Sequence, residues 1–303
     1  LWHGIFMLIT TAILVRGVQR GIEATVKILM PLLFLLLLAM VIYGASEGDM
    51  PAALHFMFDF DLSALNGKVI LLAVGQAFFS IGLAMGLMMG YGAYLGRDVS
   101  IARSAVIICA MDTLVALIAG LAIFPIVFAN GLDPADGPGL IFVSLPIAFG
   151  NVTGGVIFGA LFFILLFFAA LTSVIATMEP MIAWWQERFD MARSLASILV
   201  CFSVFVIGMG TVFSFNLWSE WRPLSFIDRF ADLGYFQLLD YLTANIMMPL
   251  GGLLLALFVG WKVKPDAIRA ELNIKRDWFF SIWFWLLRWL VPGFIAAIFL
   301  SNL

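Results

Sequence analysis

Residues 69–95 read VILLAVGQAFFSIGLAMGLMMGYGAYL. The run carries no charge and exceeds the roughly 20 apolar residues that a helix needs to cross a bilayer core. It also holds Gly75, Gly82, Gly86, Gly90 and Gly92, and a glycine inside a helix costs about 1 kcal/mol against alanine. Two readings stand. In one, the small residues let neighbouring helices approach closely. In the other, the helix is interrupted near Ser80 to Ala84, exposing carbonyls to a cation and the N-terminus of a half-helix to a carboxylate. Irregular backbone at that depth is tolerated only where it lines a cavity.

The rest of the chain has the same character. Of 303 residues 64% are hydrophobic and 12% charged, a balance that no water-soluble fold can bury. Eight apolar stretches emerge, at 1–15, 28–45, 69–95, 104–129, 155–183, 194–217, 241–261 and 278–300. The expected fold class is an all-α integral membrane protein with eight transmembrane helices. The chain opens at Leu1 already inside an apolar run, so it is read as starting within a helix, with upstream helices missing.

Basic residues are retained on the cytoplasmic side of a membrane. One set of connections holds Arg16, Arg20, Lys27, Arg97, Arg103, Arg188, Arg193, Lys262, Lys264, Arg269, Lys275 and Arg276, which is 12 of the 16 Lys and Arg residues. The opposite set holds Lys68, Arg222 and Arg229 with Glu47, Asp49, Asp59, Asp61, Asp133, Asp136, Glu220, Asp228 and Asp232. Leu1 and the C-terminus are therefore both expected outside, in a multi-pass protein of the cell membrane. The cytoplasmic loops are too short for the basic, aromatic-studded patch that nucleic-acid binding requires.

Cys109 and Cys201 both fall inside apolar stretches, where thiols behave as small hydrophobes. His3 and His55 are isolated, with no partner at metal-ligand spacing. No nucleophile, base and orienting acid stand together, so the chain is not expected to be an enzyme and no catalytic residue is assigned.

Asp112 lies within the stretch 104–129, where an ionised carboxylate costs about 2.5–3.5 kcal/mol on insertion scales and is a functional candidate by default. Either a neighbouring hydroxyl or a proton neutralises it, or a bound cation does. The run Phe167 to Thr177 places Ala169, Thr172 and Ser173 at i, i+3 and i+4, so that hydroxyl and carbonyl oxygens share a face. Such oxygens suit a hard cation, and they equally suit hydroxyls bonded back to their own helix. Glu179, just before Pro180, reads as interfacial and not a ligand. Gly21 and Pro31 flank a stretch that can unwind, serving either as a gate or as a plain helix start. Gly139 to Phe149 is apolar but too short to span, and suits a re-entrant or capping loop.

Gly75-Gln76-Ala77-Phe78-Phe79-Ser80, the Phe-Phe-Ala-Ala-Leu-Thr-Ser run ending at Ser173, Met178-Glu179-Pro180-Met181-Ile182-Ala183 and Arg16-Gly17-Val18-Gln19-Arg20-Gly21-Ile22-Glu23 together resemble the neurotransmitter:sodium symporter family, whose members have the LeuT-type fold. The resemblance covers nearly the whole chain. It implies an inverted-repeat transporter represented from its fourth to its eleventh helix. Residues 1–45 would be the last two helices of the first repeat and 46–68 an extracellular loop. The second repeat would run over 69–261, with a broken helix near 80–84 and a capping loop at 130–154. A cytoplasmic loop at 262–277 and a peripheral helix at 278–303 would complete the chain.

The same resemblance implies Ser80 and Asp112 as ligands of a first sodium ion, and Ala169, Thr172 and Ser173 as ligands of a second. Phe79, Ser80, Gly82, Met85, Ser173 and Thr177 would line the amino-acid pocket, with Phe79 as its lid. Asp240 would be an extracellular gate carboxylate at the outer end of the span beginning at Tyr241. Gly21 and Pro31 would let the fifth helix unwind to release sodium inward. Na+ is the implied coupling ion, with no organic cofactor, and the implied partners are an amino acid, sodium and the lipid bilayer.

The family usually has Asn at Asp112, and its chloride-dependent members have Ser where Ala116 stands. A fixed carboxylate balances sodium as chloride would, so transport is expected to be independent of chloride. Gly82 and Met85 also depart from the usual Ser and Phe; a hydrophobic or aromatic amino acid is the expected substrate. A proton-coupled carrier, with Asp112 titrating, and a non-transporting scaffold or channel are the competing functions.

Overall fold

A computed structural model describes residues 1–59, 61–96, 99–134, 139–274 and 276–302. Every regular element among them is helical: α1 (Trp2–Val15), α2 (Ala24–Glu47), α3 (Met50–Phe58), α4 (Gly67–Ile81), α5 (Leu87–Gly92), α6 (Ile101–Ala129), α7 (Leu145–Asn151), α8 (Gly155–Phe189), α9 (Arg193–Ser214), α10 (Tyr235–Tyr241), α11 (Met248–Leu257), α12 (Pro265–Leu272), α13 (Asp277–Trp285) and α14 (Val291–Asn302). Backbone N–H and C=O groups cannot be satisfied by lipid, and helices satisfy them internally. Large apolar side chains such as Leu8, Leu35, Val106 and Leu254 stand exposed along these helices, as lipid-facing residues do.

Among the described residues six continuous helical segments are long and apolar enough to cross a membrane: Val18–Glu47, Ile101–Ala129, Gly155–Phe189, Arg193–Ser214, Tyr235–Lys262 and Asp277–Leu300. The protein is therefore a multi-pass membrane protein. The other two of the eight expected stretches differ. The first forms the 14-residue helix α1, and the stretch 69–95 is divided between α4 and α5. The span expected to begin at Tyr241 begins at Tyr235, which puts Asp240 inside α10 and not at its outer end. The apolar segment after Gly139 is wound as a π-helical turn, Leu140–Ser144, leading into α7.

The chain divides into two compact units. In the unit of residues 12–62 and 109–176, Leu37, Met40 and Tyr43 of α2 form one buried cluster with Ala122, Ile126 and Val127 of α6, Leu145 and Phe149 of α7 and Phe162 of α8. Tyr43 stacks on Phe158 at 3.8 Å between ring centroids and donates its hydroxyl to the Thr153 carbonyl at 3.2 Å. The polar tip of an otherwise apolar side chain thus finds its partner. Residues 18–23 form a π-helical turn that runs directly into α2, so the stretch between Gly21 and Pro31 is wound throughout. A Cβ at the buried Gly21 would lie 2.0 Å from the Ile13 carbonyl oxygen.

The other unit comprises residues 1–11, 63–108 and 177–303. Here α14 packs along α11 and α4. A Cβ at Gly252 of α11 would meet the Phe78 ring of α4 at 2.3 Å. His3 lies parallel to Phe205 of α9 at 5.1 Å between centroids.

Candidate functional site

The glycine-rich stretch is a helix with a gap. The regular ladder of α4 stops at Ile81, and the next bonds are tighter: Gly82 N–H to Phe79 O at 3.0 Å and Met85 N–H to Gly82 O at 3.3 Å. A single 3-10 turn, Leu83–Met85, bridges to α5. Gly82 at φ 69° and Gly86 at φ 73° occupy the left-handed region on either side of that turn. There a Cβ crowds the following carbonyl, so glycine is the default residue. Close packing also operates within the same run. A Cβ at Gly90 would lie 2.8 Å from Pro180 Cγ, and one at Gly75 would meet Ile298 at 3.8 Å. Interruption of the helix and close packing of its glycines therefore both occur, at different positions.

Ser80 is in the last turn of α4, exposed, one residue before the carbonyl end that carries the helix's negative pole. Phe79 is 50% exposed and Met85 41%, while Gly82 is buried. The downstream half-helix is shorter than the sequence suggests. At six residues, α5 sums few peptide dipoles, so its N-terminus is a weak attractor for a carboxylate.

Asp112 is half-buried in α6, in the unit that also holds Ala169, Thr172 and Ser173. On α8, the Thr172 hydroxyl donates to Phe168 O at 2.9 Å and approaches Ala169 O at 3.0 Å. The back-bond to the helix and the paired oxygens coexist. With its proton directed at a carbonyl, Oγ1 retains lone pairs beside the Ala169 oxygen. A calcium-sized cation holds oxygens at about 2.3–2.6 Å, so two oxygens 3.0 Å apart fit one edge of its coordination shell. Among the described residues no group of three or more His, Cys, Asp or Glu side chains could hold a metal. Hydroxyl and carbonyl oxygens such as those of Thr172 and Ala169 suit a hard cation. Ser173 and Thr177 are exposed on the same helix. Asp240 is exposed in α10, and its carbonyl accepts from the Thr243 hydroxyl at 3.1 Å.

Glu179, read as interfacial near the cytoplasmic end of its span, is closed off by the protein, with its side chain 1% exposed. Arg193 Nη1 and Nη2 donate to its two carboxylate oxygens at 3.0 and 2.6 Å, and the Tyr94 hydroxyl donates to Oε1 at 3.3 Å. A buried charge persists only when paired and hydrogen-bonded, and the two-pronged arginine supplies both. The sequence signal was a carboxylate inside a membrane helix with an arginine just past the next turn. Charges near helix ends are usually solvated, so that signal alone does not distinguish a buried pair from an exposed one.

Comparison with known proteins accords with this geometry. The profile of the Sodium:neurotransmitter symporter family matches residues 2–303. The chain belongs to that family, which is one of transporters and not of enzymes. It is 34% identical to an uncharacterized sodium-dependent transporter of Haemophilus influenzae, over 99% of this chain and 64% of that protein. With the uncharacterized sodium-dependent transporter YhdH of Bacillus subtilis it shares 34% identity, over 98% and 65% respectively. The crystal structure of MhsT in complex with L-phenylalanine superposes with a TM-score of 0.87 at 38% identity, covering all of this chain and 67% of that one. The chain thus spans slightly under two thirds of the length of these two curated relatives.

Proposed function

We propose that this protein is a sodium-coupled symporter of hydrophobic or aromatic amino acids that works by alternating access without chloride. The interruption of the α4–α5 helix between Ile81 and Leu87 carries this reading, because unwound backbone inside a membrane belongs where it faces a solute. The names of the relatives support sodium as the coupling ion. The phenylalanine bound in MhsT supports the substrate class.

In this reading Ser80 and Asp112 serve a first sodium ion, and Ala169, Thr172 and Ser173 a second. Phe79, Ser80, Gly82, Met85, Ser173 and Thr177 line the substrate pocket. Asp240 belongs to the outer gate, and the Gly21–Pro31 stretch to inward release. Because one state binds sodium and amino acid together, each raises the affinity for the other, and downhill sodium drives uphill solute.

The test is uptake of radiolabelled phenylalanine by proteoliposomes holding the protein expressed from its complete reading frame. Saturable, concentrative uptake under a sodium gradient, lost in potassium at the same pH and unchanged when gluconate replaces chloride, supports the reading. Uptake driven equally well by a pH gradient in potassium assigns a proton-coupled carrier instead. Absence of saturable uptake removes transport of this substrate class.

A further inference from the structure

Arg288 is the only charged residue between Trp278 and Leu300 in the span Asp277–Leu300, and no part of the sodium or substrate chemistry uses it. Its surroundings are specific. Trp261 Nε1 donates to the Arg288 carbonyl at 3.3 Å, and the guanidinium carbon sits 4.4 Å from the centroid of the Trp261 ring. Trp289 meets the same indole edge-on at 4.9 Å. A Cβ at Gly260 would lie 3.2 Å from Arg288 Cα, so the two backbones nearly touch. Both helices leave the α ladder at this contact, in the π-helical segments Phe258–Lys262 and Leu286–Leu290. Such wide turns in membrane helices often mark functional sites.

The charge has no counter-ion among the described residues. Arg288 makes no ion pair among the described residues. Its Nε is closed to solvent without a hydrogen-bond partner, while the residue as a whole remains half-buried. An aromatic face lowers the energy of a cation but accepts none of its N–H bonds. Arg288 is level with the last turn of the span Tyr235–Lys262, the basic end that continues through Lys262 and Lys264. Trp261, Trp285 and Trp289 are about half exposed there, and tryptophans gather at the depth of lipid headgroups. Phospholipid phosphates meet the basic, tryptophan-lined ends of membrane helices, and basic pockets between such helices recognise them. The planar guanidinium fork matches a phosphate better than a point charge does.

We propose that Arg288, held on Trp261 at the contact of the two π-helical turns, binds the phosphate of an anionic phospholipid headgroup. The site uses none of the residues proposed to carry sodium and amino acid, and its test does not depend on transport. The full-length protein is extracted from bilayers of phosphatidylcholine and phosphatidylglycerol, and bound lipids are counted by native mass spectrometry. The wild type is expected to retain one more phosphatidylglycerol than Arg288→Gln, and Arg288→Lys to fall between them. In detergent, phosphatidylglycerol is expected to raise the unfolding midpoint of the wild type above that in phosphatidylcholine, a gain absent from Arg288→Gln. Equal retention in wild type and Arg288→Gln overturns the proposal, as does displacement of the lipid by inorganic phosphate, which would make the site one for a soluble anion. If Arg288→Gln does not fold, the decision rests on Arg288→Lys and the wild-type midpoint. No preference for phosphatidylglycerol in the wild type overturns the proposal by itself.

Discussion

Arg193 grips Glu179 with both of its terminal nitrogens, at 3.0 and 2.6 Å, although 14 residues separate them in the sequence. One is at the start of the last third of α8 and the other opens α9, with a tight turn at Asp190, φ 50°, between. Removing one partner of a buried pair strands the other charge, at about 3–5 kcal/mol. Glu179→Ala is therefore expected to lower the thermal unfolding midpoint in detergent far more than Tyr94→Phe, which gives up one hydrogen bond of about 1 kcal/mol. The double substitution Glu179→Gln with Arg193→Gln should recover part of the loss. A double variant as unstable as the sum of the two singles would show that the pair is not coupled.

Gly82 and Gly86 set the gap between α4 and α5. Alanine at either costs roughly 1–2 kcal/mol in backbone strain. At Gly82 its Cβ would also press on Leu87 Cδ1 at 2.7 Å, whereas at Gly86 the nearest atom is 3.8 Å away. The expected order of unfolding midpoints is wild type, then Gly86→Ala, then Gly82→Ala. Gly75→Ala, inside the regular part of α4 with only an ordinary contact, should be neutral or slightly stabilising.

Gly90 meets a rigid neighbour. The Pro180 ring cannot rotate away from a Cβ placed 2.8 and 2.9 Å from its Cγ and Cβ, so Gly90→Ala should cost the 1–3 kcal/mol typical of overpacking. Gly92→Ala, with nothing within 4 Å, should cost nothing measurable. Circular dichroism melts of the two variants give the comparison, and equal midpoints would remove the proline contact as the cause.

Asp112 is the fixed charge on which the proposed chloride independence rests. Asp112→Asn is expected either to abolish sodium-driven uptake or to make it depend on external chloride, because a neutral side chain leaves the bound sodium without its counter-charge. Proteoliposome uptake in chloride and in gluconate reads this directly. Unchanged uptake in both media would remove the charge-balance argument.

Two local features of the candidate site were legible because they are written in consecutive residues. Ala169 and Thr172 are one helical turn apart, so their oxygens meet whatever surrounds them. The gap at Gly82–Gly86 follows from glycine spacing in an otherwise apolar run. Glu179 and Arg288 were not legible in the same way. Nothing in the window around either residue says whether water, lipid or another helix faces it.

The sequence by itself determined that this chain is a set of membrane helices and which of them is broken, because the length of an apolar run and the conformational freedom of glycine are properties of consecutive residues. Only the tertiary structure decided the partners of the charges. Glu179 is closed off by Arg193 and Tyr94, and Arg288 is laid on Trp261 from the neighbouring span. Pairing depends on distances across the fold, and in a medium that solvates charge so poorly those distances govern where an ionised side chain can be held.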